Sequence, residues 1–202
     1  MSSDARDGAL EDDPLLWFRS SFERARQGES FDAARAALAT TSAHGRPSVR
    51  FVLVKQVDAL GFVFYTNYDS RKARDLTDNP QAALAFHWAS LGEQWRIEGV
   101  VTRVSTLESD SYFATRPRGS QLGAWASAQS APIVSRALLE AKLQDVTERF
   151  RTSVTVARPA NWGGFRIVPG SIEVWSDRAD RLHDRHVFTR DGEAWTRRRL
   201  QP

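Results

Sequence analysis

Arg181, His183 and Arg185 fall at every second position of the stretch RADRLHDRHVF, residues 178–188. Read as a β-strand, the stretch puts these three side chains on one face, about 6–7 Å apart, with Leu182 on the reverse. Two guanidiniums and an imidazole in one row repel unless water screens them or an anion sits against them. An exposed polar face is the alternative. A second stretch, YTNYDSRKARDL at 65–76, offers Ser70 as a helix cap and places Arg71 and Lys72 in the first turn. Helix N-termini favour acidic side chains, so two cations beside free amides and a hydroxyl form a phosphate site, or else a solvated basic helix start.

Two further stretches carry the same chemistry. In SVRFVLVK, residues 48–55, Arg50 and Lys55 interrupt an apolar strand and fall on opposite faces unless a bulge intervenes. A strand apolar on both faces is expected to be covered on both, so its charges need partners; edge exposure is the alternative. In YFATRPRGSQLGAWASAQS, residues 112–130, Tyr112 and Arg116 stand at i and i+4 on one helical face, with Ser120 just beyond the helix end. A phenol, a guanidinium and a hydroxyl on one side could clamp a phosphate or a carboxylate, or simply pack on the surface. AQS at 128–130 precedes the next helix and is read as another anion-ready terminus. Four such elements in one chain imply a ligand, or a ligand pair, with more than one phosphate.

The elements that must position these groups follow from punctuation and periodicity. Asp13 with Pro14 starts a helix whose apolar positions are Leu15, Phe18, Phe22 and Ala25, ending at Gly28. AALATTS, SVRFVLVKQV, GFVFYTN, AALAFHWAS and QWRIEGVVTRV then read as short antiparallel strands in a meander with one helical insertion. TLESDSYFATRP is a helix capped by Thr106 that must end near Arg116, before Pro117. APIVSRALLEAKLQDVTERF is a longer amphipathic helix with Ile133, Leu138, Leu139, Leu143 and Val146 as its apolar stripe. GGFRIVPGSIEVWSD, RLHDRHVFTR and AWTRRRLQP return to strands. The expected architecture is an α+β fold, one β-barrel domain over residues 13–202 decorated by helices, after a disordered tail at 1–12.

Composition narrows the chemistry. The 202 residues contain no cysteine, which excludes disulfides, thiolate nucleophiles and cysteine metal sites and fits a cytoplasmic protein. His44, His87, His183 and His186 show no metal-ligand spacing. The start, MSSDARDGALEDD, lacks the features of a signal peptide, and no apolar run approaches the length of a membrane span. The formal charge is only +3, and three of the 28 basic residues are lysines, so arginine usage is a chain-wide bias. Nucleic-acid binding through TRRRL is disfavoured on that ground.

Taken together, RFVLVK, FYTNYDSRK, YFATRPRGSQLGAWASAQS, NWGGFRI, IEVW and RLHDR resemble the pyridoxine (pyridoxamine) 5′-phosphate oxidase family, in the family's order and from about Asp13 to Pro202. The resemblance implies an antiparallel FMN-binding split barrel, a homodimer with flavin at the subunit interface, and oxidation of pyridoxine or pyridoxamine 5′-phosphate to pyridoxal 5′-phosphate. Oxygen would be reduced to hydrogen peroxide. Carried over by motif, the flavin contacts are Arg50, Phe51, Val52, Leu53, Val54, Lys55, Tyr65, Thr66, Arg71, Lys72, Gln94, Gln129, Ser130, Trp175 and Arg185. The clamp on the substrate phosphate is Lys55, Tyr112, Arg116 and Ser120, and Arg181 with His183 meets the pyridine part as the catalytic pair. Arg181 and His183 would then serve the substrate and Arg185 the flavin, all from one strand face. Glu93, Trp95 and His87 depart from the family's pattern beside Gln94. Related flavin oxidases of phenazine biosynthesis, which need no clamp for a substrate phosphate, and a non-enzymatic flavin or pyridoxal-phosphate carrier are the alternatives.

Overall fold

The computed structural model describes residues 12–202, so the expected tail lies outside the described residues apart from Asp12. Helix α1, Pro14–Gly28, begins as its sequence dictates: the Asp13 carboxylate accepts from the amides of Leu15 and Leu16 at 2.8 and 3.3 Å. Eight strands follow: β1 Arg35–Thr41, β2 Pro47–Asp58, β3 Gly61–Asn67, β4 Gln81–Trp88, β5 Glu93–Arg103, β6 Trp162–Ser176, β7 Asp184–Asp191 and β8 Ala194–Leu200. Four more helices interrupt them: α2 Arg71–Asp78, α3 Thr106–Thr115, α4 Arg118–Ala126 and α5 Arg136–Arg149.

The strands are all antiparallel in the order β3-β2-β1-β4-β5-β6-β7-β8, and β3 also pairs with β6. That extra pairing closes six strands into a barrel and leaves β7 and β8 as an extension of β6. A simple meander would have set β4 beside β3; instead β4 pairs with β1 across from β2. Inward positions alternate as the pleat requires, with Leu38, Phe64, Leu84, Phe86, Ile97 and Ile167 in the core. Phe18 of α1 packs against this core, meeting Phe62, Phe86, Trp88 and Trp95 at 5.0–5.3 Å between ring centroids.

A second apolar cluster, Phe113, Leu122, Val156 and Trp162, roots α3 and α4 beside the open end of β3 and β6. The two glycines of NWGGF serve this junction. A Cβ on Gly164 would stand 2.8 Å from the Tyr65 ring, and one on Gly163 would overlap the Tyr68 hydroxyl.

Several sequence expectations are corrected. The N-cap of α3 is Ser105, whose hydroxyl accepts from the Glu108 amide in a reciprocal capping box, while Thr106 is the first helical residue. Ser120 does lie beyond the end of α3, but within α4, a helix the sequence reading did not include. Residues 128–130 form a turn after α4, and α5 starts only at Arg136 with Ser135 as cap, so AQS is no helix terminus. Ile133 therefore precedes α5, and no residue of that helix is buried. Of its apolar stripe, Val146 packs against the Phe113, Leu122, Val156 and Trp162 cluster, while Leu138 and Leu143 stay exposed.

Candidate active site

Between β2, β3, α3 and α4 lies a cavity of about 480 Å³ whose walls include eleven of the residues singled out from sequence: Phe51, Val52, Leu53, Lys55, Tyr65, Thr66, Lys72, Tyr112, Arg116, Ser120 and Gln129. The outward face of β2 is apolar and uncovered, with Val49 69% and Phe51 72% exposed, contrary to the expectation of burial on both faces. Val54 is the exception among its neighbours: its side chain belongs to the barrel core. The bulge left open as the exception for Arg50 and Lys55 is present. The β2–β3 register shifts between Val54 and Gln56, so Lys55 is the extra residue.

One end of the cavity is cationic. Lys72, on the first turn of α2, is 8% exposed, and its amine meets only hydroxyls, Thr66 Oγ1 at 3.2 Å and Ser70 Oγ at 3.5 Å. Burial, with the neighbouring Arg50 adding to it, pulls its pKa down to about 8. Arg50 points inward from β2 and is held by the Leu38 carbonyl, Thr40 and Ser48, with Asp75 at 3.7 Å. Ser70 caps α2 through its backbone alone, since its side chain makes no cap hydrogen bond. Across the cavity Gln129 Oε1 accepts from Thr66 at 2.9 Å, and the Ser130 hydroxyl accepts from the Arg71 amide at 3.2 Å.

The other end carries the second cation. Arg116, the C-cap of α3, lies 4.6 Å over the Trp162 ring, and its buried Nη1 has no hydrogen-bond partner. Tyr112 stacks on Tyr65 at 3.9 Å, and both planes run within 14° of each other and of Trp162. Cations at two ends and an apolar floor between them fit a flat, apolar ring system carrying a phosphate together with a second phosphate-bearing molecule.

The remaining candidates lie elsewhere. Gln94, Trp175 and Arg185 are register partners in one row across β5, β6 and β7, on the outer face of the sheet. Three strand spacings, from β2 through β1 and β4 to β5, separate Gln94 from Leu53, about 14 Å along the curved sheet. Arg185 is paired with Glu173 at 2.7 Å.

RLHDR is not a strand. Residues 179–181 form a 3₁₀ turn, and β7 begins only at Asp184, so Arg181, His183 and Arg185 share no strand face. Asp180 and Arg181 are left-handed, with φ of 57° and 60°, and Ser130 is the other such non-glycine residue among those described. Such strain collects at functional positions, and Ser130 and Arg181 are both candidate site residues. The His183 ring packs on Trp175 at 4.4 Å. Its Nδ1 accepts from the Arg178 amide at 3.2 Å and stands 3.1 Å from the Asp177 carboxylate.

Sequence reasoning missed four residues that this geometry needs: Trp162 under Arg116, Asp75 beside Arg50, Glu173 under Arg185, and Asp177 beside His183. Trp162 and Glu173 sat inside the quoted motifs NWGGFRI and IEVW, which is the signal that could have found them.

Comparison with known proteins now adds to this geometry. A family model described as pyridoxamine 5′-phosphate oxidase matches residues 29–150. The chain belongs to that family. The pyridoxine 5′-phosphate oxidase C-terminal dimerisation region matches residues 162–202, which hold Trp175, Arg181, His183 and Arg185. Among relatives, the pyridoxine/pyridoxamine 5′-phosphate oxidase of Anaeromyxobacter dehalogenans is 52% identical over 190 residues, covering 94% of this chain and 96% of that protein. The like-named protein of Rubrobacter xylanophilus is 50% identical, covering 98% of this chain and 90% of its own length. In solved structures, PhzG of Burkholderia lata, in complex with tetrahydrophenazine-1-carboxylic acid, superposes with a TM-score of 0.88 at 30% identity, covering 95% of this chain and 93% of that one. A pyridoxamine 5′-phosphate oxidase-related, FMN binding protein of Nostoc punctiforme shares the fold, with a TM-score of 0.75 at 17% identity over 94% of this chain and 98% of that one.

Two of this chain's three departures from the family pattern face away from Gln94. Glu93 turns inward, pairs with Arg24 of α1 at 2.8 Å and accepts from the Trp95 indole at 3.0 Å. Trp95 is fully buried, whereas His87 is the exposed register partner of Gln94. Among the described residues no helix is long and apolar enough to cross a membrane.

Proposed function

We propose that this chain oxidises pyridoxine 5′-phosphate and pyridoxamine 5′-phosphate to pyridoxal 5′-phosphate, with FMN as cofactor and oxygen as acceptor, working as a cytoplasmic homodimer. The observation that carries this reading is the pair of cations in one cavity, Lys72 and Arg116, each held by groups that leave its charge unmatched. Two phosphates answer to them: one on the cofactor and one on the substrate. A tricyclic acid would leave the Tyr112–Arg116–Ser120 end without its phosphate, and relatives named as the vitamin phosphate oxidase are about half identical to this chain against 30% for the phenazine-pathway structure.

Lys72, Arg71, Ser70 and Thr66 would hold the flavin phosphate, with Arg50 behind them and the β2 segment 51–55 beside the rings. When bound, FMN would supply the two-electron oxidation at the substrate C4′ carbon, with oxygen reduced to hydrogen peroxide; for the amine substrate, water would then hydrolyse the resulting imine and release ammonia. The protein's part is placement and charge. Arg116, Tyr112, Ser120 and Lys55 fix the substrate phosphate, which orients the pyridine ring without touching the reacting carbon.

Arg181 and His183 lie outside this cavity. Together with Gln94, Trp175 and Arg185 they are proposed to complete the cavity of a second copy, in keeping with a dimerisation region over residues 162–202. With Nδ1 flanked by the Arg178 amide and the Asp177 carboxylate, Nε2 is the ring nitrogen of His183 left to meet the substrate. The described residues from Asp13 onward are read as one domain on this account.

The test is direct. The purified protein is expected to be yellow, or to become so with FMN, and to consume oxygen when pyridoxine 5′-phosphate is added. A protein colourless in the presence of FMN would sink the reading. A yellow one inert toward both vitamin phosphates would transfer the case to the phenazine-type oxidase or to a carrier.

A further inference from the structure

We propose that Trp162 is a positioning residue for the phosphate clamp, holding Arg116 on its ring in place of a carboxylate so that the guanidinium meets the substrate phosphate with its charge intact. This rests on the reading above that Arg116 binds the substrate phosphate. A half-buried guanidinium normally lies against an acid, because leaving a charge out of water without a partner is costly. Several other arginines that leave water obey this. Arg166 bridges Asp58 and Glu108, Arg185 meets Glu173, and Arg158 meets Asp110 at 2.7 Å.

Arg116 does not. No ion pair among the described residues includes it, and its nearest partners are rings, Trp162 at 4.6 Å and Phe113 at 5.5 Å. The face of an indole attracts a cation electrostatically but cannot neutralise it. A carboxylate there would hold the side chain equally well and would repel the phosphate. Trp162 suits the role because it is fixed itself. It is buried at the first position of β6, wedged edge-on against Phe113 at 5.1 Å and stacked on Tyr65 at 5.5 Å. The same ring stack sets Tyr112, so both ends of the clamp are placed by neutral aromatic surfaces. The buried Nη1 without a partner is the mark of this design: a donor kept in place and left for the ligand.

The experiment uses the FMN-loaded protein with Trp162→Leu and Trp162→Phe, checked for visible spectrum and dimer formation. Binding of inorganic phosphate is read by calorimetry, where the filled flavin site leaves only the clamp to titrate. Steady-state oxidation is measured with pyridoxine 5′-phosphate and with phosphate-free pyridoxine. Trp162→Leu is expected to weaken phosphate binding and to raise KM for the phosphorylated substrate about tenfold, with kcat within about twofold. Trp162→Phe is expected to regain most of the loss, because it keeps a weaker π-face. Oxidation of pyridoxine itself is expected to change little. Equal losses for pyridoxine and its phosphate, or unchanged phosphate binding in a well-folded variant, would overturn the proposal. If Trp162→Leu fails to fold, Trp162→Phe decides alone: about a threefold weakening for phosphate supports it, and none overturns it. A wild-type protein inert toward every vitamin phosphate would remove the function proposed above, whereas the phosphate titration would still judge Trp162.

Discussion

Replacing Lys72 with methionine is expected to make the flavin-free protein more stable at neutral pH while weakening FMN binding. The stem of Lys72 is buried and its amine has only two hydroxyls for company. A fall in pKa from 10.5 to about 8, caused first by burial and then by Arg50, means that the fold disfavours the charged form. At about 1.4 kcal/mol per tenfold that is about 3 kcal/mol; because the amine fronts an open cavity, solvent screening reduces it to about 1–2 kcal/mol. The sign follows from linkage. Between pH 8 and 10.5 the unfolded chain binds more protons at this site than the folded one, so the wild type gains stability as pH rises through that window. Below pH 8 the penalty is present in full.

Methionine keeps the apolar contacts and removes the charge. Urea unfolding of the flavin-free proteins should therefore show Lys72→Met ahead by about 1–2 kcal/mol at pH 7 and level with the wild type near pH 10.5. FMN titration by fluorescence quenching should show the opposite order, a loss of about thirtyfold at pH 7 for one charge-assisted hydrogen bond to phosphate. The two effects must appear together. A variant that is less stable at pH 7, or one that binds FMN as tightly as the wild type, would refute the idea that Lys72 is a charge held against the fold for a bound anion.

Three further outcomes are expected. Arg181→Leu should depress turnover with pyridoxine 5′-phosphate far more than flavin content, read by oxygen uptake against the visible spectrum; equal turnover would remove Arg181 from the reaction. Glu93→Ala should lower stability by about 2–3 kcal/mol in urea unfolding, because it strips the buried Trp95 indole of its acceptor and Arg24 of its partner, and a neutral result would mean that the α1 contact is idle. The carboxyls of Asp58 and Glu108 are both held below their ordinary values. For Asp58, burial is the largest single effect and pushes upward, but Arg166 and the Leu60 amide together outweigh it; for Glu108, the Ser105 cap acts first and Arg166 adds to it. Their stabilising effect is present above the unfolded carboxyl range and is lost as pH falls through and below about 4. Arg166→Met should flatten that acid limb in a thermal-melt series, and an unchanged limb would place acid lability elsewhere.

Local order was legible in the residues, and long-range order was not. Asp13–Pro14 and the apolar spacing after it specify α1, and alternation with turn residues locates all eight strands, because cap chemistry and pleat are short-range. The β3–β6 pairing that closes the barrel joins residues about a hundred positions apart, and no local pattern encodes it. RLHDR misled for a related reason. Alternation of polar and apolar residues is the mark of a strand, yet Asp180 and Arg181 take left-handed backbone that sequence usually signals with glycine or asparagine. The α5 stripe reads as core because periodicity reports amphipathicity and not how much lies opposite; Val146 meets the second apolar cluster, but Leu138 and Leu143 remain exposed.

Arginine presents the deeper difficulty. With 25 arginines in 202 residues, each candidate at the site has many look-alikes, and residue type alone cannot separate a ligand-binding guanidinium from a structural one. Partners do separate them. Arg24, Arg96, Arg166 and Arg178, to which no ligand role falls, all end on carboxylates, whether exposed or buried. Arg50 is an intermediate case: Asp75 sits 3.7 Å away but is also hydrogen-bonded to Thr40, which leaves Arg50 partly balanced as a buttress behind Lys72. Lys72 and Arg116 alone in the cavity are held by hydroxyls and rings. A fold selected only for stability would have paired them, since an unmatched buried cation lowers stability whatever else it does. Their retention at opposite ends of one apolar-floored cavity is therefore an argument about ligands. It supports the proposed pair of anions, the cofactor's phosphate beside Lys72 and the substrate's beside Arg116.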